Sequence, residues 1–137
     1  TGAPVAGSPA IKRETALAVR RMLELAVQPG GTAPRAQVSG YRVAGKTGTA
    51  HKLEGRGYAA NRYVSSFVGF APVSDPRIVV AVMIDEPTAG QYYGGAVAAP
   101  VFSTVTGAAL RMLGVPTDAP VDNVILPPEG GEVREET

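Results

Sequence analysis

The sequence predicts an α+β fold in which helices cover an antiparallel sheet. Three observations predict it. Apolar residues at helical spacing open the chain, with Ile11, Thr15, Ala18, Met22 and Leu25 at steps of three and four. Two apolar runs, residues 64–73 and 77–84, are separated by Ser74-Asp75-Pro76, a turn short enough to make them an antiparallel hairpin. A second helix-length stretch, 96–113, then carries Val97, Val101, Val105 and Ala108 along one side.

Taken in order, residues 1–10 are rich in Gly, Pro and Ala and read as irregular. The first helix starts either at a Ser8-Pro9 cap or nearer Lys12, and Pro29-Gly30-Gly31 stops it. Lys12, Arg13, Arg20, Arg21 and Glu24 lie mostly off its apolar stripe. Residues 31–40 read as a loop, 41–52 as the first strand, and the polar, Gly-containing 53–62 as a connector. The run 77–84 is apolar throughout, the pattern of a strand buried on both faces. Asp85-Glu86-Pro87 ends it, and a loop to Gly95 holds Tyr92 and Tyr93. Pro100 is tolerable in the first turns of the last helix. Residues 1–114 thus form the folded part, with a modest core and room for missing sheet neighbours. Residues 115–137 are an acidic, Pro-rich tail expected to be extended or disordered.

Composition excludes several classes. The net charge is +1, but Asp118, Asp122, Glu129, Glu132, Glu135 and Glu136 against Arg134 alone leave the tail at −5 and the body at +6. The basic body suits an anionic ligand. It has no dense Lys/Arg cluster with interleaved aromatics, so nucleic acid is not an expected partner. No apolar run approaches the ~20 residues of a membrane span, and no signal peptide opens the chain. Cysteine is absent, which removes disulfide and thiol chemistry and leaves the compartment open.

The stretch with chemistry in it is Gly45-Lys46-Thr47-Gly48-Thr49-Ala50. On a strand, Lys46, Gly48 and Ala50 point one way and Gly45, Thr47 and Thr49 the other. Glycines inside a strand mark a close approach of ligand or backbone, so this edge offers an anion a charge, two hydroxyls and uncovered N–H groups. Gly40 to Thr47 also matches the G-x-x-x-x-G-K-[ST] phosphate loop letter for letter. That loop needs a strand before it and a helix after it, whereas here β-forming Tyr41 and Val43 lie inside and Gly48, Gly55 and Gly57 follow. Nucleophilic catalysis by the chain alone fails too. None of Ser8, Ser39, Ser65, Ser66, Ser74 and Ser103 has a lysine three residues on, and His51 is the sole histidine, read as an exposed residue just past the strand or a site rim. Asp85 and Glu86 are strand neighbours expected on opposite faces, a solvated strand end rather than an acid/base pair.

Lys46-Thr47-Gly48-Thr49 on a strand resembles the Lys-Ser/Thr-Gly motif of penicillin-binding transpeptidases and serine β-lactamases. With Gly40 to Ala50, Val68-Gly69-Phe70-Ala71-Pro72, Val82 to Pro87 and Tyr92 to Phe102 in order, residues 11–114 resemble the class B, division-specific penicillin-binding proteins (the FtsI type). The resemblance implies the C-terminal part of a D,D-transpeptidase domain that cross-links peptidoglycan stem peptides ending in D-Ala-D-Ala, without cofactor or metal. It implies covalent inhibition by β-lactams, divisome partners, and a bacterial inner-membrane protein with its catalytic domain in the periplasm. The nucleophile of Ser-x-x-Lys and the Ser-x-Asn motif are absent here, so the remainder of the domain is an implied partner and this chain alone is expected to be inactive. By the same resemblance, Lys46 holds the substrate carboxylate and biases the proton network, and the Thr47 and Thr49 hydroxyls hydrogen-bond that carboxylate. The Thr49 N–H supplies half of an oxyanion hole, a donor worth ~3 kcal/mol in the barrier, and Gly48 keeps the edge uncluttered. Tyr63, Tyr92 and Tyr93 match an aromatic wall that engages β-lactam side chains, or else pack against the last helix. His51 stands where the family often carries a basic residue. A different class also fits the exposed edge: a non-catalytic scaffold that binds peptide by strand addition.

Overall fold

The computed structural model describes residues 7–55 and 57–126. Helix α1 (Arg13–Leu25) is followed by a 3₁₀ turn (Pro34–Ala36), strands β1 (Ala44–Glu54), β2 (Gly57–Ala71) and β3 (Ile78–Asp85), a short helix α2 (Gly94–Val97), and helix α3 (Ala99–Met112). The strands form the expected antiparallel sheet, with the expected hairpin between β2 and β3, in the order β1-β2-β3. Lys46 lies opposite Val68, and Thr49 opposite Ser65.

The β1–β2 hairpin is longer than the sequence suggests. Within the expected connector 53–62, residues 53–54 and 57–62 are strand: Leu53 pairs with Tyr58 after a register slip beyond His51. Both side chains are 75% exposed and only the small Ala59 is buried on this arm, so it carries little hydrophobic alternation to detect. At the other end, Tyr41 precedes the strand. It bridges Val38 across Ser39-Gly40, where Gly40 has φ +82°, a conformation glycine adopts without steric cost.

One face of the sheet builds the core. Phe67 of β2 and Phe102 of α3 are fully buried, edge to face at 4.7 Å. Gly45 and Gly69 face each other across the strands, and a Cβ on Gly45 would lie 2.4 Å from the Phe67 ring. The space at Gly45 therefore belongs to a core ring and not to a ligand. Helix α3 turns Ala99, Phe102, Thr106, Gly107 and Leu110 inward. The stripe expected to be buried, Val101, Val105 and Ala108, faces out instead, with Val101 and Val105 41% and 47% exposed. The helix is apolar on two sides, and periodicity does not say which side meets the sheet. Thr106 Oγ1 is buried with no hydrogen-bond partner. Thr106→Val, which removes that unpaired hydroxyl at near-constant volume, is expected to stabilise the fold by roughly 1 kcal/mol, read as a higher urea midpoint.

The opposite sheet face is sparsely covered. Helix α1 starts after Lys12 and buries no residue fully. Its expected stripe also points away: Ile11, Met22 and Leu25 are more than half exposed. Polar groups hold it down. Arg20 Nη1 donates to the Val73 carbonyl at 3.0 Å, and Arg42 Nε and Nη2 donate to the two Glu24 carboxylate oxygens at 2.6 and 2.7 Å. Strand β3 alternates between half-buried and exposed positions, so the expectation of burial on both faces fails. Val79 and Met83 are 71% and 73% exposed. Beside them an apolar groove of ≈350 Å³ runs between Val19, Leu23, Phe70 and Val79.

Residues 31–40 are a loop with one 3₁₀ turn, as read, but much of it is buried in the core: Ala33, Pro34, Ala36, Gln37 and Val38 are all buried. Residues 115–126, expected to be extended or disordered, run as an irregular segment without helix or strand. They form a strap whose polar groups satisfy the backbone that leads into β1. Asn123 Oδ1 accepts from the Gly40 N–H and its Nδ2 donates to the Tyr41 carbonyl. Asp118 accepts from the Arg42 and Ser74 N–H groups, while Gln37 exchanges two bonds with Ile125. The rest of the expected tail, 127–137, lies outside the described residues.

Candidate active site

The motif lies on β1, the outer strand of the sheet, whose far side pairs with no strand among the described residues. Lys46 is exposed at its stem and bends back over the edge, so that Nζ donates to the Thr47 carbonyl at 3.0 Å and to Thr47 Oγ1 at 3.2 Å. Thr47, buried at 7% exposure, donates onward to Thr32 Oγ1 at 3.2 Å. The expected alternation holds for the backbone, while the four-carbon lysine stem brings its charge round to the opposite face. Lys46, Thr47 and Thr32 make one hydrogen-bonded row along the edge. Sequence reasoning missed Thr32; nothing around it distinguishes it from an ordinary loop threonine.

Thr49 Oγ1 accepts the Gly94 N–H at 3.2 Å, tying β1 to the start of α2. The Gly94-Gly95 pair makes this approach possible. A Cβ on Gly94 would sit 2.2 Å from the Ser66 carbonyl oxygen, and one on Gly95 2.0 Å from the Thr32 carbonyl oxygen. A Cβ on Gly48 would meet Ser66 Oγ at 2.6 Å, a hydroxyl able to rotate away. The doubled glycine after two tyrosines was the available sequence signal for this junction.

The three expected tyrosines gather beside it. Tyr63 stacks on Tyr92 at 4.0 Å and 12°, and Tyr92 leans on Tyr93 at 4.4 Å with their hydroxyls 3.1 Å apart. Ser65 Oγ donates to the Tyr92 carbonyl. Stacked on each other and half-buried, these rings form a ladder beside the motif. His51, on β1 rather than beyond it, ends the ladder 4.5 Å from Tyr63. Desolvation, and then Tyr92, push the Tyr63 phenol above its ordinary pKa.

Asp85 and Glu86 depart from expectation. Glu86 has φ +50°, which breaks the alternation, and both carboxylates reach Lys52 Nζ, at 2.9 and 2.6 Å. Arg62 donates to the same Glu86 oxygen. Arg62 first, then Lys52, lowers the Glu86 carboxyl to about 2 from an ordinary 4.5, and both cations are raised in turn. A depressed carboxyl stabilises the fold above its unfolded pKa and loses that contribution as pH falls through the folded one. The gap in urea midpoint between the parent protein and Glu86→Gln is therefore expected to close as pH falls from 4.5 to about 2. Because the group is exposed, added salt should narrow the gap as well.

The family model for the penicillin-binding protein transpeptidase domain matches residues 1–107. The chain belongs to the penicillin-binding protein transpeptidase family. Among its relatives, a probable peptidoglycan D,D-transpeptidase PenA of Neisseria flavescens is 47% identical over 117 residues, 85% of this chain and 29% of that protein. The peptidoglycan D,D-transpeptidase FtsI of Escherichia coli K12 is 42% identical over 116 residues, 85% of this chain and 20% of that protein. The apo transpeptidase domain of Burkholderia pseudomallei penicillin-binding protein 3 superposes with a TM-score of 0.71 at 57% identity, covering 78% of this chain and 32% of that one. The chain thus spans less than a third of each relative. The transpeptidase resemblance and the α+β fold stand. Among the described residues no helix is long and apolar enough to cross a membrane.

Proposed function

We propose that this chain supplies the carboxylate-binding edge of a serine D,D-transpeptidase that cross-links peptidoglycan stem peptides during cell division. The observation that carries this reading is the row Lys46–Thr47–Thr32 on an unpaired strand edge, next to the aromatic ladder, in a chain of the transpeptidase family. Lys46 holds the terminal carboxylate of the D-Ala-D-Ala stem by charge. The Thr49 hydroxyl donates to it, and the Thr47 hydroxyl does so by rotating its proton from Thr32, charge-assisted bonds being the strong kind. The Thr49 N–H and the N–H of a serine outside this chain cradle the oxyanion formed when that serine attacks the peptide carbonyl. The acyl group then passes to the amine of a second stem. β-Lactams, which carry the same carboxylate beside a reactive amide, trap the serine, and Tyr63, Tyr92 and Tyr93 receive their side chains. Gly48 leaves the edge open.

The remainder of the domain, with its Ser-x-x-Lys and Ser-x-Asn motifs, is the partner this reading requires. Outward apolar groups on α1, β3 and α3 support it: Met22, Leu25, Val79, Met83, Val101 and Val105 are all more than 40% exposed. Apolar side chains left exposed on three separate elements suit surfaces that the rest of the domain covers. The FtsI relationship supports placement at the bacterial inner membrane, the catalytic domain in the periplasm, and divisome proteins as further partners.

Labelling with a fluorescent penicillin tests the reading. The complete domain is expected to become covalently labelled and this chain alone to stay unlabelled. An unlabelled complete domain would refute it. The unpaired β1 edge also favours a second reading, a peptide-binding scaffold, under which this chain alone would bind a D-Ala-D-Ala peptide and the complete domain would show no acylation.

A further inference from the structure

We propose that Glu86 is a positioning residue that holds the aromatic ladder in place. This rests on the reading of that ladder as a wall of the site. The chain leaves β3 at Glu86 and turns into the loop that delivers Tyr92 and Tyr93. Its φ of +50° is unusual for a glutamate, and such a conformation persists where neighbours over-determine it.

The neighbours are on hand. The Glu86 N–H donates to the Tyr63 carbonyl at 2.9 Å, one bond past the last β2–β3 pair, Val64 with Asp85. Its Oε1 accepts from Lys52 Nζ of β1 at 2.6 Å and from Arg62 of β2, the residue before Tyr63. One carboxylate oxygen thereby joins two strands at the point where the third ends. The far end of the loop is held separately, by Ser65 on the Tyr92 carbonyl and by Thr49 on the Gly94 N–H. Tyr63 and Tyr92 stack only if both loop ends are placed, and Glu86 fixes the first end and the Tyr63 backbone together. Glu54 lies near the same arginine, 3.7 Å away, without touching the loop.

The test uses the full-length protein that carries this chain, labelled with 3-fluorotyrosine, with the Tyr63, Tyr92 and Tyr93 resonances assigned by Tyr→Phe changes. Glu86→Gln removes the charge at constant size. Glu86→Asn removes it while tolerating positive φ. Glu54→Gln is the control for charge alone. Both Glu86 variants are expected to shift the three resonances and to slow acylation by a penicillin with a bulky aromatic side chain by about tenfold. Acylation by 6-aminopenicillanic acid, which has no such side chain, should change less than about twofold, and Glu54→Gln should alter neither readout. Unmoved resonances in Glu86→Gln, or a Glu86→Asn indistinguishable from the parent, would overturn the proposal. Equal slowing of both penicillins would overturn it too. Shifted resonances in a protein that no penicillin acylates would uphold the positioning and sink the transpeptidase reading instead.

Discussion

Lys46→Ala is expected to lower the acylation rate of the complete domain by about 10²–10³-fold, the scale on which losing a pre-placed electrostatic partner is felt. The side chain reaches Thr47 Oγ1 and the Thr47 carbonyl, and through that threonine it orders Thr32. Removing it takes away one partner of the Thr47 hydroxyl and, on the proposed reading, the charge that faces the substrate carboxylate. Lys46 packs into no core, so thermal stability should barely move. Stopped-flow labelling with a fluorescent penicillin, beside a melting curve, separates the two effects. A loss of labelling matched by a loss of fold would mean that Lys46 serves structure.

Gly95→Ala is expected to damage fold and site together. Its Cβ would lie 2.0 Å from the Thr32 carbonyl oxygen, a backbone atom that no rotamer change can move. Relief requires the 30–33 segment and α2 to part, which carries Thr32 away from Thr47. Overpacking of this kind costs roughly 1–3 kcal/mol, and acylation should fall further than stability alone explains. Gly57→Ala is the control, since nothing lies within 4 Å of its Cβ; it should change stability by no more than about 0.5 kcal/mol. Urea midpoints and acylation rates of the two variants check both statements.

Much of the sheet was legible in the sequence because a turn and two apolar runs specify a hairpin locally. The 45–50 motif fell on β1, and the β2–β3 pairing followed from the Ser74-Asp75-Pro76 turn. The helix faces were not legible. Of the stripes chosen from periodicity, Ile11 to Leu25 is exposed and Val101, Val105 and Ala108 point outward, because α3 has a second apolar surface that the sheet takes and α1 buries no residue fully. An apolar run likewise says that β3 can be covered on two sides, and here one side is left open. At the site, the lysine, threonines and tyrosines were visible as residue types. Their arrangement was not: Thr32 reaches Thr47 from 15 residues away, and the Glu86 turn depends on cations from two other strands. The strap at 115–126 was hidden for the opposite reason. Its composition is that of a disordered tail, yet Asn123, Asp118 and Ile125 bond to backbone and side-chain groups that the 37–42 turn leaves unpaired.

A crystal structure of the complete domain acylated by a penicillin tests the central claim most directly. The account predicts the drug's carboxylate within hydrogen-bonding distance of Thr47 and Thr49, facing the Lys46 charge. A carboxylate turned to solvent, or gripped by a different strand, would contradict it.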